Sequence, residues 1–134
     1  MNNKILFNSP DFVEPIPELE QYSTPPDIAF EIIKKVNSSG NLSGKVVDLG
    51  SGTGRLAIAA ALLGADVTGY EIDSGAMSIS EKYSSQNNLD IKWINAPVEG
   101  INTEFDTVIM NPPFGSQRPG ADKIFLEKAM DCLL

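Results

Sequence analysis

The sequence has 134 residues and a net charge of −8, with 42% hydrophobic and 21% charged residues, a composition typical of one soluble globular domain. One cysteine and no histidine exclude a disulfide framework and nucleophiles activated by a histidine base, and we expect no metal site. No apolar run is long enough to span a membrane and no secretory signal is seen, which favours a cytoplasmic protein without a membrane partner.

The first part of the chain predicts an arm followed by a helix. Residues 1–20 are expected to form an irregular arm, because their three prolines exclude a long helix. The apolar residues available to anchor this arm are Ile5, Leu6, Phe7 and Phe12. The helix is predicted to have Thr24 as its N-cap and Pro25 at its first position, and its apolar residues recur at helical spacing as far as Val36.

Short apolar strands then alternate with helices. The predicted strands are 45–49, 67–71, 91–94 and 105–110. The predicted helices are 55–63, 73–86 and 122–134, and residues 96–102 are expected to form a loop or one helical turn. Alternation at this spacing predicts right-handed βαβ units and a parallel sheet, with a ligand at the carboxyl ends of the strands.

A glycine-rich loop, residues 50–54, joins the first strand to its helix. Gly50, Gly52 and Gly54 let the backbone pass close to a ligand, although a tight turn without a ligand is the alternative. The third glycine comes one residue earlier than in the dinucleotide-binding pattern, and Asp48 before the loop would repel a pyrophosphate. Asp48 suits a ligand that carries ammonium and sulfonium groups, and S-adenosylmethionine is such a ligand.

Glu71 ends the second strand, about twenty residues after the loop, where an acid accepts hydrogen bonds from ribose hydroxyl groups. The alternative is a solvated turn residue. Asp73 or Ser74 is expected to cap the helix that follows.

The fourth strand delivers the motif Asn111-Pro112-Pro113-Phe114. The Asn111 side-chain oxygen and the Pro112 carbonyl group can accept hydrogen bonds from the two N–H groups of a planar amino group. These bonds would stabilise the positive charge that develops on the nitrogen during its methylation. Phe114 can stack on an unpaired or flipped base, worth about 1–3 kcal/mol. The alternative is an ordinary turn in which Phe114 packs against the protein.

Together, the run 48–54, Glu71 and the motif 111–114 resemble the class I S-adenosylmethionine-dependent amino-methyltransferases. Residues 19–25 and 108–118 are similar to the archaeal and eukaryotic enzymes that methylate N6 of an adenosine in small-subunit ribosomal RNA. The resemblance implies a Rossmann-like, doubly wound parallel sheet of strand order 3-2-1-4 in a three-layer αβα sandwich. Residues 21–134 would be the N-terminal part of the S-adenosylmethionine-binding methyltransferase domain.

The resemblance also implies roles for single residues. Gln21 and Thr24 would close over the methyl donor, Asp48 would hold its ammonium group directly or through water, and Glu71 would bind its ribose. Gly50, Thr53 and Arg55 would contact the donor mainly through backbone atoms, and the other loop residues Ser51, Gly52 and Gly54 would also belong to the donor site. Asn111 would contact both the donor and the target base, and Pro112, Pro113 and Phe114 would complete the catalytic motif.

One position departs from the family pattern. Many relatives carry an acid after the third strand that bonds the adenine amino group of the donor, whereas this chain has Asn95-Ala96-Pro97, with Pro97 at the acidic position. Asn95 and Ala96 are the residues left to make this contact, Asn95 through its amide.

The function implied is methylation of adenosine N6 in RNA, with ribosomal RNA as the expected substrate. DNA adenine or a protein glutamine amide are alternatives, since the motif suits any planar amino group, and a non-catalytic donor-binding or scaffold module is another. Relatives continue for further strands, so we expect the chain to be truncated after its fourth strand, or covered there by another chain such as a small protein activator. The net charge of −8 disfavours unaided binding to nucleic-acid phosphate.

Overall fold

The computed structural model describes residues 3–11, 24–110 and 127–129. Its centre is a parallel sheet of four strands in the order β3-β2-β1-β4. The strands are β1 (Lys45–Leu49), β2 (Asp66–Glu71), β3 (Ile91–Asn95) and β4 (Thr107–Met110). The predicted Rossmann-like α/β fold and its strand order are therefore confirmed.

Helices precede and connect the strands. They are α1 (Asn3–Phe7), α2 (Pro26–Ser38), α3 (Arg55–Leu62) and α4 (Ser74–Gln86), with a 3-10 turn at Val98–Gly100 and helical backbone at residues 127–129. Asp73 is the N-cap of α4, because its side chain accepts a hydrogen bond from the Gly75 N–H at 3.0 Å. In the described part of the chain, no helix has both the length and the apolar character needed to cross a membrane.

The sheet is covered on both faces. Val46 and Val67 pack on one face with buried residues of α1, α2 and α3. Val47 and Leu49 pack on the other face with the segment 98–105 and with Ala129. Because successive side chains of a strand point to opposite faces, neighbouring valines of β1 belong to different cores. This is the predicted three-layer αβα arrangement.

The N-terminal arm differs from its prediction. It contains the helix α1, because prolines farther along the arm limit the length of a helix but not its presence. Leu6 is fully buried and Ile5 is half-buried, so both anchor the arm as predicted. The prediction was wrong for Phe7, which is 48% exposed, and Phe12 lies outside the described residues.

Helix α2 and strand β4 also begin later than predicted. Helix α2 begins at Pro26 with Pro25 in the N-cap position, so Thr24 is not the cap. The ring of a proline disfavours helical backbone at the residue before it, and Pro25 accordingly has a ψ angle of 144°. Strand β4 begins at Thr107 rather than at Phe105, which is buried and makes only an isolated bridge.

The carboxyl ends of the strands meet at one edge of the sheet, here called the carboxyl edge, and the opposite edge is the amino edge. Leu49 is paired with both Tyr70 and Met110, and Glu71 is paired with Asn95. The glycine loop, Glu71 and Asn95 therefore lie at the same edge. Within the described ranges β4 pairs with β1 alone and forms one side of the sheet.

Candidate functional site

The glycine loop, residues 50–54, turns the chain from β1 into α3. The N–H groups of Gly50 and Ser51 donate to the Tyr70 carbonyl oxygen at 2.8 and 2.9 Å, and the Gly54 N–H donates to the Ser51 carbonyl oxygen at 2.8 Å. All three glycines of the loop have positive φ angles. These bonds attach the loop to β2, so its shape is fixed by the protein itself.

Trp93 and Ser80 support the loop from the side of α4. A Cβ atom at Gly54 would lie 2.7 Å from Cη2 of Trp93 and 3.1 Å from Oγ of Ser80. The Ser80 hydroxyl group donates to the Gly52 carbonyl oxygen at 3.0 Å, and the Trp93 indole N–H donates to Oγ of Ser84 at 2.9 Å. Gly54 is therefore required both by its φ angle of 89° and by this close approach.

Glu71 links the loop to the start of α4. Its Oε1 accepts a hydrogen bond from the Gly52 N–H at 2.7 Å, and its Oε2 accepts one from the Asp73 N–H at 2.9 Å. The side chain is only 8% exposed, so Glu71 is not a solvated turn residue. Each carboxylate oxygen has two lone pairs, and Glu71 therefore keeps acceptor capacity for the hydroxyl groups of a ligand.

Asp48 lies in β1, just before the loop, and is 1% exposed. Neither of its carboxyl oxygens has a hydrogen-bond partner among the residues the structure describes, and the same is true of Ser51 Oγ. Buried polar atoms without partners are rare, because their desolvation is not offset. Two such groups beside one glycine loop indicate a place that a polar ligand or water completes.

The carboxyl pair of this site resists ionisation. Burial, and to a lesser extent the carboxylate of Glu71, raise the pKa of Asp48 to about 8, while the Ala57 N–H acts in the opposite direction without reaching hydrogen-bonding geometry. Burial also raises the pKa of Glu71, against the effect of the Asp73 and Gly52 N–H groups. A positively charged ligand would stabilise both carboxylates. Residues 3–11, 24–110 and 127–129 contain no group of three or more potential ligands arranged to hold a metal ion.

Arg55 and Thr24 are brought together at the start of α3. Nη1 of Arg55 donates to the Thr24 carbonyl oxygen at 3.1 Å. Nε and Nη2 donate to the hydroxyl and carbonyl oxygens of Ser9 at 3.2 and 3.1 Å. Since the Arg55 side chain is engaged with the arm, the donor contact of Arg55 stays a prediction for its backbone atoms. Thr53, the loop residue before Gly54, is buried at 2% exposure.

Asn95 ends β3 beside Glu71. Its Nδ2 donates to the carbonyl oxygens of Glu71 and Ile72 at 2.9 and 3.2 Å, which leaves Oδ1 to accept a hydrogen bond from an amino group. The Ala96 N–H donates to the carbonyl oxygen two residues earlier at 3.1 Å. Oδ1 of Asn95 is therefore the side-chain atom of this segment that remains for the predicted contact to adenine, since Pro97 has no polar side chain.

Some predicted site residues lie outside the described part of the chain. They are Gln21, Asn111, Pro112, Pro113 and Phe114. The last described residue of β4, Met110, is paired with Leu49, which directly precedes the glycine loop. The chain thus leaves β4 at the carboxyl edge and next to the loop.

Ile72 is a candidate site residue that no sequence pattern indicated. It follows Glu71, and 53% of its side chain is exposed, so it offers an apolar surface at the carboxyl edge. A single apolar residue between two acids has no periodicity to mark it. The role of Trp93 did have a signal, because a glycine inside a strand indicates a close approach, and a Cβ at Gly69 would lie 2.6 Å from the Trp93 ring.

The chain belongs to the methyltransferase small domain family, which it matches over residues 27–134. The family predicted from the sequence is therefore confirmed, and S-adenosylmethionine is the cofactor that this membership assigns. The glycine loop, the two buried carboxyl groups and the start of α3 are the described residues able to hold it, because they offer a close backbone approach and oxygens that can accept further hydrogen bonds.

Individual relatives agree with this family. The crystal structure of a protein of Pyrococcus horikoshii, described as a candidate RNA methyltransferase, matches with a TM-score of 0.91 and 38% identity, covering 98% of this chain and 68% of that one. The rRNA N(6)-adenosine-methyltransferase Mettl5 of Drosophila melanogaster is 40% identical over 129 residues, which are 89% of this chain and 61% of the relative. An uncharacterised protein of Methanocaldococcus jannaschii is 34% identical over 131 residues, 87% of this chain and 59% of the relative. The chain thus spans about three fifths of the length of these curated relatives.

Proposed function

We propose that this protein transfers a methyl group from S-adenosylmethionine to N6 of an adenosine in RNA, with ribosomal RNA as the substrate and the cytoplasm as the location. Residues 21–134 are the proposed donor-binding domain. The observation that carries the proposal is the meeting at the carboxyl edge of the glycine loop, Glu71 and the Asp48 carboxyl group, which has no hydrogen-bond partner among the described residues. The 40% identical Drosophila relative, an rRNA N(6)-adenosine-methyltransferase, favours this substrate.

Donor binding is proposed to use the described residues first. Glu71 keeps lone pairs for the ribose hydroxyl groups, while its bonds to Gly52 and Asp73 hold it in position. Ile72 gives the adenine an exposed apolar surface, and Asn95 Oδ1 accepts from its amino group. Asp48 acts on the ammonium group through Ser51 or water, since its own oxygens are buried. Gln21 and Thr24 are proposed to close over the donor.

The catalytic proposal concerns the motif 111–114. Bound S-adenosylmethionine supplies an electrophilic methyl group on a sulfonium. Asn111 and the Pro112 carbonyl group are proposed to accept hydrogen bonds from the two N–H groups of the target amino group, which favours a tetrahedral nitrogen and stabilises its developing positive charge. As the nitrogen–methyl bond would form and the sulfur–methyl bond would break, the thioether product would leave, and the methylated nitrogen would lose one proton to water. Pro112 and Pro113 restrict the backbone that aims these acceptors, and Phe114 stacks on the base. The remaining rate acceleration comes from the alignment of two bound reactants.

A partner is part of the proposal. In the described part of the chain β4 has a neighbour on one side only, and an apolar strand edge exposed to solvent favours association. A second chain, such as a small protein activator, is proposed to cover this edge. A basic partner would also offset the net charge of −8, which opposes binding to RNA phosphate.

The test combines donor titration with methyl transfer. We expect calorimetry to show binding of S-adenosylmethionine, and radiolabelled transfer to small-subunit ribosomal RNA to yield N6-methyladenosine. Asn111→Ala should lower transfer by about 1,000-fold, because it removes an acceptor used as charge develops, while donor affinity stays within about threefold. Asn102→Ala at the exposed amino edge is the matched control and should change neither quantity.

Other outcomes assign other functions. Transfer to DNA adenine or to a protein glutamine, without transfer to RNA, would replace the substrate class and keep the chemistry. Donor binding with no transfer to any of these would indicate a non-catalytic module. Full transfer by the Asn111→Ala variant would refute the role of the motif.

A further inference from the structure

The side chain of Arg55 forms a junction between three separate parts of the chain. Arg55 is the first residue of α3 and follows Gly54, the last residue of the glycine loop. Its guanidinium donates to both oxygens of Ser9 in the arm and to the Thr24 carbonyl oxygen before α2, at distances of 3.1 to 3.2 Å. One side chain thus fixes two distant points of the N-terminal region against the loop.

The position of this arginine is unfavourable for the helix itself. The N-terminus of a helix carries partial positive charge and stabilises acids, yet the first turn of α3 contains none and begins with a cation. A tertiary role explains this choice, because the planar fork of a guanidinium can serve several acceptors at fixed angles. The described acceptors are two backbone carbonyl oxygens and one hydroxyl group, so charge pairing is not the reason for the contact.

We propose that Arg55 is a positioning residue for donor binding, which holds Ser9 and Thr24 against the start of α3 so that these two residues form part of one wall of the site. This inference rests on the proposed function, since it assigns the purpose of the wall to S-adenosylmethionine. Thr24 is the described residue through which the effect reaches the donor, because its carbonyl group is held directly by Nη1.

A second attachment of the arm provides an internal comparison. The Tyr83 hydroxyl group, on α4, donates to the Ile5 carbonyl oxygen at 2.5 Å. This bond fixes α1 against α4 without involving the glycine loop or Thr24. If the arm has only a structural role, loss of either attachment should have the same effect on donor binding. If Arg55 positions residues of the site, only loss of the Arg55 attachment should weaken donor binding.

The experiment measures donor affinity by calorimetry in the full chain, with thermal unfolding recorded in parallel. Arg55→Lys keeps the charge but loses the planar fork, and Arg55→Met keeps the aliphatic stem. We expect both to weaken S-adenosylmethionine binding about tenfold, the effect of roughly one net hydrogen bond. Tyr83→Phe should leave donor affinity within about twofold, and Lys82→Met controls for loss of an exposed cation.

Amide exchange of residues 5–9, recorded without any donor, tests the attachment separately. Faster exchange in Arg55→Lys and Arg55→Met with tenfold weaker binding supports the proposal. Donor binding within about twofold of the unmodified protein in both variants would overturn it. If these variants do not fold, Ser9→Ala must weaken donor binding about two- to threefold through loss of one acceptor, and unchanged binding would again refute the proposal. An unmodified protein that fails to bind the donor refutes the proposed function, whereas the exchange data still decide whether Arg55 holds the arm.

Discussion

Both edges of the sheet carry acidic side chains, but these are buried at the carboxyl edge and exposed at the amino edge. At the carboxyl edge Asp48 and Glu71 are buried, and the oxygens of Asp48 have no hydrogen-bond partner within the described residues. At the amino edge Asp66, Glu104 and Asp106 are exposed around an open cleft of about 600 Å³. Burial, and the lack of partners within the described residues, thus mark the carboxyl edge as the one prepared for a ligand.

Asp106, at the amino edge, has an ordinary structural role. Oδ2 of Asp106 accepts a hydrogen bond from the Lys45 N–H at 2.7 Å, and the Asp106 N–H donates back to the Lys45 carbonyl oxygen at 2.8 Å. This reciprocal pair joins the start of β1 to the residue before β4. Glu71 also accepts from backbone N–H groups, but it does so in a buried position next to a glycine loop, where a ligand can use its remaining lone pairs.

The largest expected effect compares two glycines at the two ends of α3. Gly54 and Gly64 have φ angles of 89° and 91°, so alanine meets a similar backbone penalty at both. A Cβ at Gly54 would also collide with Trp93, whereas at Gly64, on the amino-edge cleft, it would have nothing within 4 Å. We expect Gly54→Ala to lower the free energy of unfolding in urea by about 3 kcal/mol, and Gly64→Ala by about 1 kcal/mol. Equal losses in the free energy of unfolding would show that the Trp93 side chain moves aside at little cost.

The next effect compares one acid from each edge. Glu71→Gln keeps the size of the side chain but removes its charge and places an NH₂ group against a backbone N–H. We expect its affinity for S-adenosylmethionine to fall about 10- to 100-fold, as for loss of a charged hydrogen bond. Asp106→Asn makes the same chemical change at the amino edge and should alter donor affinity less than about twofold. Calorimetric titration measures both affinities. A similar loss of donor affinity in the two variants would show that the two edges do not differ in donor binding.

A third effect is the pH dependence of stability due to Asp48. Because its pKa is raised to about 8, the native protein keeps a proton that the unfolded chain loses above about pH 4. The stability that this group contributes is therefore complete below about pH 4 and is lost as the pH rises to 8. Asp48→Asn cannot ionise, so its stability relative to the unmodified protein should increase by about 2 kcal/mol or more between pH 5 and pH 8. Urea unfolding at several pH values checks this, and a constant difference would contradict it.

Most of the fold could be predicted from the sequence because its signals are local. Alternating apolar strands and helices, with glycines directly after β1, predict a parallel sheet with its ligand edge at the carboxyl ends. The errors lie where local patterns are weak. The five-residue helix α1 is too short for periodicity to show, and the start of α2 depends on which of two adjacent prolines is helical.

The site was predictable only in part. Asp48, Glu71 and the glycines of the loop were identifiable from their positions at strand ends, and the structure places them together at the carboxyl edge. The hydrogen bonds of Arg55 to Ser9 and Thr24 were not, because they join residues that are distant in the chain and share no motif. The exposure of Ile72 was equally invisible in the sequence.

By itself, the sequence determined the order of strands and helices, the glycine loop, and the acids and the Asn-Pro-Pro-Phe motif at strand ends, since each depends on neighbours in the chain. Only the tertiary structure decided which carboxyl groups are buried and which of them lack a hydrogen-bond partner among the described residues. Asp48 and Asp106 lie on or beside neighbouring strands, yet Asp48 is 1% exposed, whereas Asp106 is exposed and accepts a hydrogen bond from the Lys45 N–H. Desolvation depends on everything packed around a group, and that surrounding is assembled from distant parts of the chain.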